Sequence, residues 1–169
     1  MFRRLIGMKR GRWGDIGGLV GAVLLVGGAA VAGSVFSYDG TSGWYRGLAK
    51  PEWTPPPWVF GPAWTVLYIL IALSGWVVWL RRDRAVVWPA LVVFVVQLVL
   101  NALWSVLFFG LRRPDLALVE VALLLSVIMA NVAVFWRVSR LAGLLLVPYL
   151  CWTGFATVLN FAIWWLNAG

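Results

Sequence analysis

Three stretches of this chain set amide and aromatic side chains at helical spacing inside apolar sequence. Gln97, Asn101, Trp104, Ser105 and Phe108 fall at i, i+4, i+7, i+8 and i+11, so a helix carries them on one face. Trp152, Ala156, Asn160 and Trp164 recur every four residues, one turn after Pro148 and Tyr149. Phe60, Trp64, Tyr68 and Ile71 make a third stripe. Uncharged amides among large rings do not suit acid–base or nucleophilic chemistry. They suit the walls of a cavity for a flat, apolar, aromatic ligand. The plainer reading is a tight bundle in which Asn101 and Asn160 bond across helices. For Trp76, Trp79, Trp88 and Trp136, near span ends, the plainer reading is an interfacial belt. Trp64 and Trp152 lie too far inside their runs to fit that belt well.

Other chemistries are excluded by composition. There is no histidine, and Cys151 is the single cysteine. Disulfide frameworks, Cys/His zinc sites and histidine-ligated haem are therefore out of reach within one chain. No close carboxylate pair, phosphate-binding glycine loop or activated serine is present, and no metal site is expected. Cys151 reads as inert packing beside Trp152. Asn131 reads as interhelical glue. Glu120 lies near Arg112 and Arg113. It reads as an ion pair or snorkel at a membrane edge, or as a polar anchor at the mouth of a cavity.

The elements that carry these stripes are membrane spans. Of 169 residues, 63% are hydrophobic and 12% charged, against about 25% charged in a soluble domain. Uncharged runs predict helices over about 16–36, 59–80, 85–109, 116–136 and 141–166. Each is long enough for a hydrocarbon core of about 30 Å. The fold class is therefore an all-α integral membrane protein, a five-transmembrane-helix bundle over 16–167. A basic N-terminal segment, 1–15, precedes it. Ala30-Val31-Ala32 resembles a signal-peptidase site, but the 21-residue uncharged run favours a retained helix. Pro55-Pro56-Pro57 starts the second span, since proline suits a first helical turn. The connection over 37–57 is long, holds Trp44, Tyr45 and Trp53, and has the character of a lid.

The net charge of +8 reflects topology, not nucleic-acid binding. Ten of the Lys and Arg residues fall on the N-terminal side of the bundle and four on the other. The positive-inside rule then places the N-terminus in the cytoplasm and the aromatic loop outside. Which membrane hosts the chain is not encoded. No two halves read as inverted repeats, which argues against an ordinary secondary transporter.

The motifs WYRGLAKPEWTPPPWVFGPAWTVLY (44–68), QLVLNALWSVLFFG (97–110) and VPYLCWTGFATVLNFAIWWLN (147–167) together resemble the TspO/MBR family. This family comprises tryptophan-rich sensory proteins and translocator proteins, also called peripheral-type benzodiazepine receptors. The resemblance spans roughly 16–167. It implies a five-helix bundle, commonly a homodimer, whose first loop closes over a pocket for porphyrins such as protoporphyrin IX. Porphyrin would be ligand and partner, not a resident cofactor, and the lipid bilayer the other partner. The implied ligand-contact positions are Phe60, Gly61, Ala63, Trp64, Asn101, Trp104, Trp152, Ala156 and Leu159. The function implied is a porphyrin-binding sensor or transporter. The alternatives are light- and oxygen-dependent porphyrin degradation involving Trp64 and Trp152, or a ligand-free scaffold. Two departures stand out. The fifth-helix stretch 158–167 lacks the tyrosine and basic residue of the animal sterol motif, so sterol binding there is not expected. Glu120 stands where the family often has aspartate.

Overall fold

Sustained hydropathy forces each apolar run to satisfy its own backbone, and helices are the outcome. The computed structural model describes residues 12–168, with side chains described at all but 12 and 38–42. Five helices are long and apolar enough to cross a membrane. They are α1 (Arg12–Ser42), α3 (Pro57–Trp79), α4 (Val87–Ser105), α5 (Pro114–Val138) and α6 (Arg140–Leu166). A single turn, α2 (Trp44–Gly47), lies between α1 and α3. There is no strand among the described residues. Pro57 and Pro114 occupy the first turns of α3 and α5, where a missing N–H breaks no intrahelical bond.

Three boundaries differ from the sequence reading. The first helix begins at Arg12 and continues to Ser42, so residues 12–15 belong to it; residues 1–11 lie outside the described chain. The connection expected over 37–57 is correspondingly shorter. The early start has a physical cause at the other end of the bundle. Asp15 Oδ1 accepts a bond from Arg82 Nη1 at 2.9 Å. The Trp76 and Trp79 indoles donate to the carbonyls of Asp15 and Gly14 at 2.9 and 3.1 Å. Trp76 and Trp79 thus act first as anchors of α1. Third, α4 ends in a π-turn over Val106–Gly110, in which Leu111 N–H reaches back to the Val106 carbonyl at 2.8 Å.

The helices form a closed ring in the order α1, α3, α6, α5, α4. Consecutive α3 and α4 pack only weakly against each other and face across the ring. One half of the interior is solid. Leu67, Ile71, Val78, Phe94, Ile128, Phe135, Leu146 and Tyr149 fill it, with Phe94 stacked on Phe135 at 5.6 Å. Ser74 Oγ–H donates to the Ala142 carbonyl at 2.8 Å and ties α3 to α6. Gln97 and Asn131 are buried in this half with no hydrogen-bond partner among the described residues. Asn131 is therefore not a hydrogen-bonding bridge between helices. The other half, toward the ends Pro57, Gly110, Pro114 and Leu166, is open inside.

Candidate ligand-binding cavity

The open half is a cavity of roughly 950 Å³ to which all five long helices contribute. Its roof is the segment between α1 and α3. Trp44 meets Phe108 edge-on at 5.8 Å, and Tyr45 meets Phe108 and Phe109 at 6.2 and 5.7 Å. Trp53 meets Phe155 of α6 at 5.9 Å. The roof is also tied down by polar bonds. Ala49 N–H donates to Asn167 Oδ1 at 3.0 Å, and Asn167 Nδ2 donates back to the Ala49 carbonyl at 2.9 Å. Burial pushes the Tyr45 phenol above its ordinary range, so it stays neutral beneath Lys50, whose Nζ lies 4.8 Å from the ring centre.

The walls follow from helical periodicity. On α3, Phe60, Trp64 and Tyr68 share the inward face. Phe60 packs edge-on against Trp152 of α6 at 5.9 Å. Trp64 stacks on Tyr68 at 5.1 Å and meets Tyr149 edge-on at 6.3 Å. The Tyr68 hydroxyl donates to Asn101 Oδ1 of α4 at 3.0 Å. One turn along, Trp104 stacks on Phe108 at 5.0 Å. The π-turn adds an extra residue to that turn of α4, and Phe108 and Phe109 both reach the lining. Such turns recur where a helix must present unusual neighbours.

Of the residues singled out as ligand contacts, Phe60, Gly61, Trp64, Asn101, Trp104, Trp152, Ala156 and Leu159 line the cavity, and Ala63 does not. Asn101 and Asn160 are both bonded across helices and both in the lining, so the two readings of the amides coincide. Asn160 Oδ1 accepts from Trp104 Nε1 at 3.0 Å, while its Nδ2 donates to the Pro114 carbonyl at 2.9 Å. One amide thus joins α4, α5 and α6. Trp164 lies outside the lining, packed with Phe161 and Trp165. Trp58 is exposed.

Glu120 fits neither reading made of it. Arg113 pairs with Asp115 instead, at 2.6 Å. The Glu120 carboxyl is buried without a hydrogen-bond partner and is not part of the lining. Cys151 is exposed on the outer surface of α6. Among the described residues no three His, Cys, Asp or Glu side chains come together as a metal site.

Sequence reasoning missed the contribution of α1, which adds Ala30, Gly33 and Ser34. The signal was the small-residue run itself: a Cβ at Gly33 would stand 3.2 Å from Ser105 Oγ. It also missed Arg46 and Lys50, the basic residues of the lining. Their i, i+4 spacing beside Tyr45 was available to be read.

Comparison with known proteins agrees with this architecture. The family model described as TspO/MBR matches residues 20–166. The chain is similar to the tryptophan-rich protein TspO of Archaeoglobus fulgidus, 43% identical over 153 residues, covering 89% of this chain and 97% of that one. It is similar to the human translocator protein, 40% identical over 141 residues, covering 81% and 82%. Protein CrtK of Rhodobacter capsulatus is 39% identical over 142 residues, covering 83% and 87%.

Proposed function

The chain belongs to the TspO/MBR family and is a multi-pass integral membrane protein, and from that premise we propose that its cavity binds a porphyrin-type ligand as part of sensing or transport. The observation that carries this reading is the cavity itself. Its volume of roughly 950 Å³ suits a large ligand, and its walls are Phe60, Trp64, Trp104, Phe108 and Trp152. Such a site holds a flat macrocycle by ring contact and exclusion of water, not by metal ligation, so a metal-free porphyrin is an adequate probe. The roof explains how the ligand is kept from the aqueous phase, and its few polar ties explain how it can open.

Titration of protoporphyrin IX against tryptophan fluorescence tests the reading. Saturable quenching is expected in the wild-type protein, and a Kd raised at least about tenfold in a Trp64→Ala, Trp152→Ala double variant. An unchanged Kd in that variant removes the cavity from consideration as the site.

The Trp64–Tyr68 stack and the Trp64–Tyr149 edge contact favour one further reading. Trp64 and Tyr68 line the cavity and Tyr149 packs behind Trp64 in the solid half, so these oxidisable rings in contact could exchange electrons with a photoexcited bound porphyrin. Under illumination in air, bound porphyrin should then lose absorbance faster than porphyrin in empty detergent micelles. Equal decay rates would rule this out. The charge distribution adds an orientation to the proposal, with the roof on the side of the membrane away from the cytoplasm.

A further inference from the structure

A second hollow lies where α1 and α4 end, on the roof side of the bundle. It is a cleft of roughly 340 Å³. Val35 and Phe36 of α1 contribute one part of its lining, and Val106, Phe109 and Leu111 another. Arg112 is its one charged residue, and the lining contains no acid. Val35, Phe36 and Leu111 are exposed, so the cleft opens to the surroundings of the bundle. The apolar stretches of α1 and α4 that can cross a membrane end at Ser37 and Gly110. The body of the cleft therefore faces hydrocarbon, and Arg112 stands at the level of the headgroups.

Arg112 holds that place at a conformational cost. Its φ is 54°, and among the described residues no other non-glycine residue has a positive φ. Arg113 N–H donates past it to the Leu107 carbonyl at 3.0 Å, a bond that closes a helix around a left-handed residue. Glycine is the usual occupant of such a position, because a Cβ there is strained. A strained residue that carries a long side chain points to a use for that side chain. The fold does not use it as an ion-pair partner: among the described residues Arg112 forms no salt bridge. Arg113 has already taken Asp115, through Nε at 2.9 Å and Nη2 at 2.6 Å.

We propose that this cleft binds a phospholipid of net negative charge, with an acyl chain against Phe36, Val106 and Phe109 and the phosphate on Arg112. The bilayer supplies the occupant. Water in an apolar cleft at that depth finds too few polar partners to stay, whereas a hydrocarbon chain loses nothing by entering. The planar guanidinium matches two phosphate oxygens, and a headgroup without an ammonium leaves that pairing uncontested. Phe109 also lines the main cavity and meets Tyr45 of the roof at 5.7 Å, so the lipid chain and the main cavity share one ring as a partition. The site stands whatever fills the main cavity.

The test is native mass spectrometry of the whole chain in detergent, with phosphatidylglycerol and phosphatidylcholine of identical chains added in equal amounts. The wild type should carry a phosphatidylglycerol adduct in about fivefold preference. Arg112→Gly should bring that ratio toward one. It relieves the strained φ, so its thermal midpoint without lipid should equal or exceed that of the wild type. Arg112→Lys, equally strained and still charged, should keep most of the preference. Val106→Phe narrows the cleft and leaves the charge, so it should weaken both adducts together. Arg137→Gln, at the opposite end of the bundle, should change nothing. Lack of preference in the wild type overturns the proposal, and so does a full preference kept by Arg112→Gly. A midpoint of Arg112→Gly well below wild type would mean that Arg112 serves the fold, and it overturns the proposal too. A dimer signal that Arg112→Gly removes, with no lipid adduct on the wild type, assigns the cleft to a second copy of the chain and overturns the lipid site.

Discussion

Asn167 and Ala49 exchange a reciprocal pair of hydrogen bonds, at 3.0 and 2.9 Å, across 118 residues of sequence. The amide of Asn167, just beyond the end of α6, pairs with the backbone of the roof as a neighbouring strand would. The same Nδ2 also donates to the Ile163 carbonyl at 2.7 Å, which holds the amide to its own helix. Neither Asn167 nor Ala49 lines the cavity. The pair is therefore a fastening of the roof, separate from the surfaces a ligand would touch.

Replacing Asn167 by Ala removes both bonds and leaves the wall rings in place. Two net hydrogen bonds are worth about 1–3 kcal/mol together. The roof should open more often, and release of bound protoporphyrin IX should quicken by about tenfold in stopped-flow fluorescence. Asn167→Asp keeps an acceptor for Ala49 N–H and loses the donor, so its release rate should fall between the two.

At the opposite end of α1, Gly18 is held to a hydrogen side chain by its neighbour. A Cβ there would stand 1.9 Å from Trp79 Cδ1, and Trp79 is bonded to Gly14 and stacked near Arg82 at 5.4 Å. Gly18→Ala should destabilise the protein by about 1–3 kcal/mol, read from denaturant unfolding in detergent. Combined with Trp79→Ala, the two effects should be clearly less than additive, because the second removes the ring that the first displaces.

Asn160→Leu tests the three-helix joint. It strips the partner from Trp104 Nε1 and from the Pro114 carbonyl while keeping the side chain's bulk. A loss of about 1–2 kcal/mol is expected, visible as a lower thermal midpoint. Trp104 should also show altered fluorescence, because its indole N–H loses its acceptor. A melting temperature equal to wild type would mean the joint contributes nothing.

Glu120 should respond in the opposite sense. Its carboxyl is buried and without a hydrogen-bond partner, and an unpaired buried polar group costs about 1–3 kcal/mol. Glu120→Leu should raise the thermal midpoint in detergent. A lowered midpoint would show that the carboxyl has a stabilising partner in the membrane-embedded protein.

Much of the architecture was written in local sequence. Hydropathy over windows of about 20 residues dictates helices in a membrane, because no other local structure satisfies its own backbone there. The number of spans followed from that alone. The stripes on the second, third and fifth spans were also legible, because a period of 3.6 residues fixes which side chains share a face. What those faces meet was not legible. Ring order depends on how five helices pack, and the sequence does not say that α3 and α4 sit across from each other with α1 between them. That order decides that Ala30 and Gly33 reach the cavity and that Ala63 does not. It decides that Tyr68 finds Asn101, and Trp104 finds Asn160. The length of α1 was decided in the same way, by Arg82, Trp76 and Trp79 from a distant helix end. Composition and periodicity act within one helix. Partners, and with them the cavity and its roof, belong to the packing.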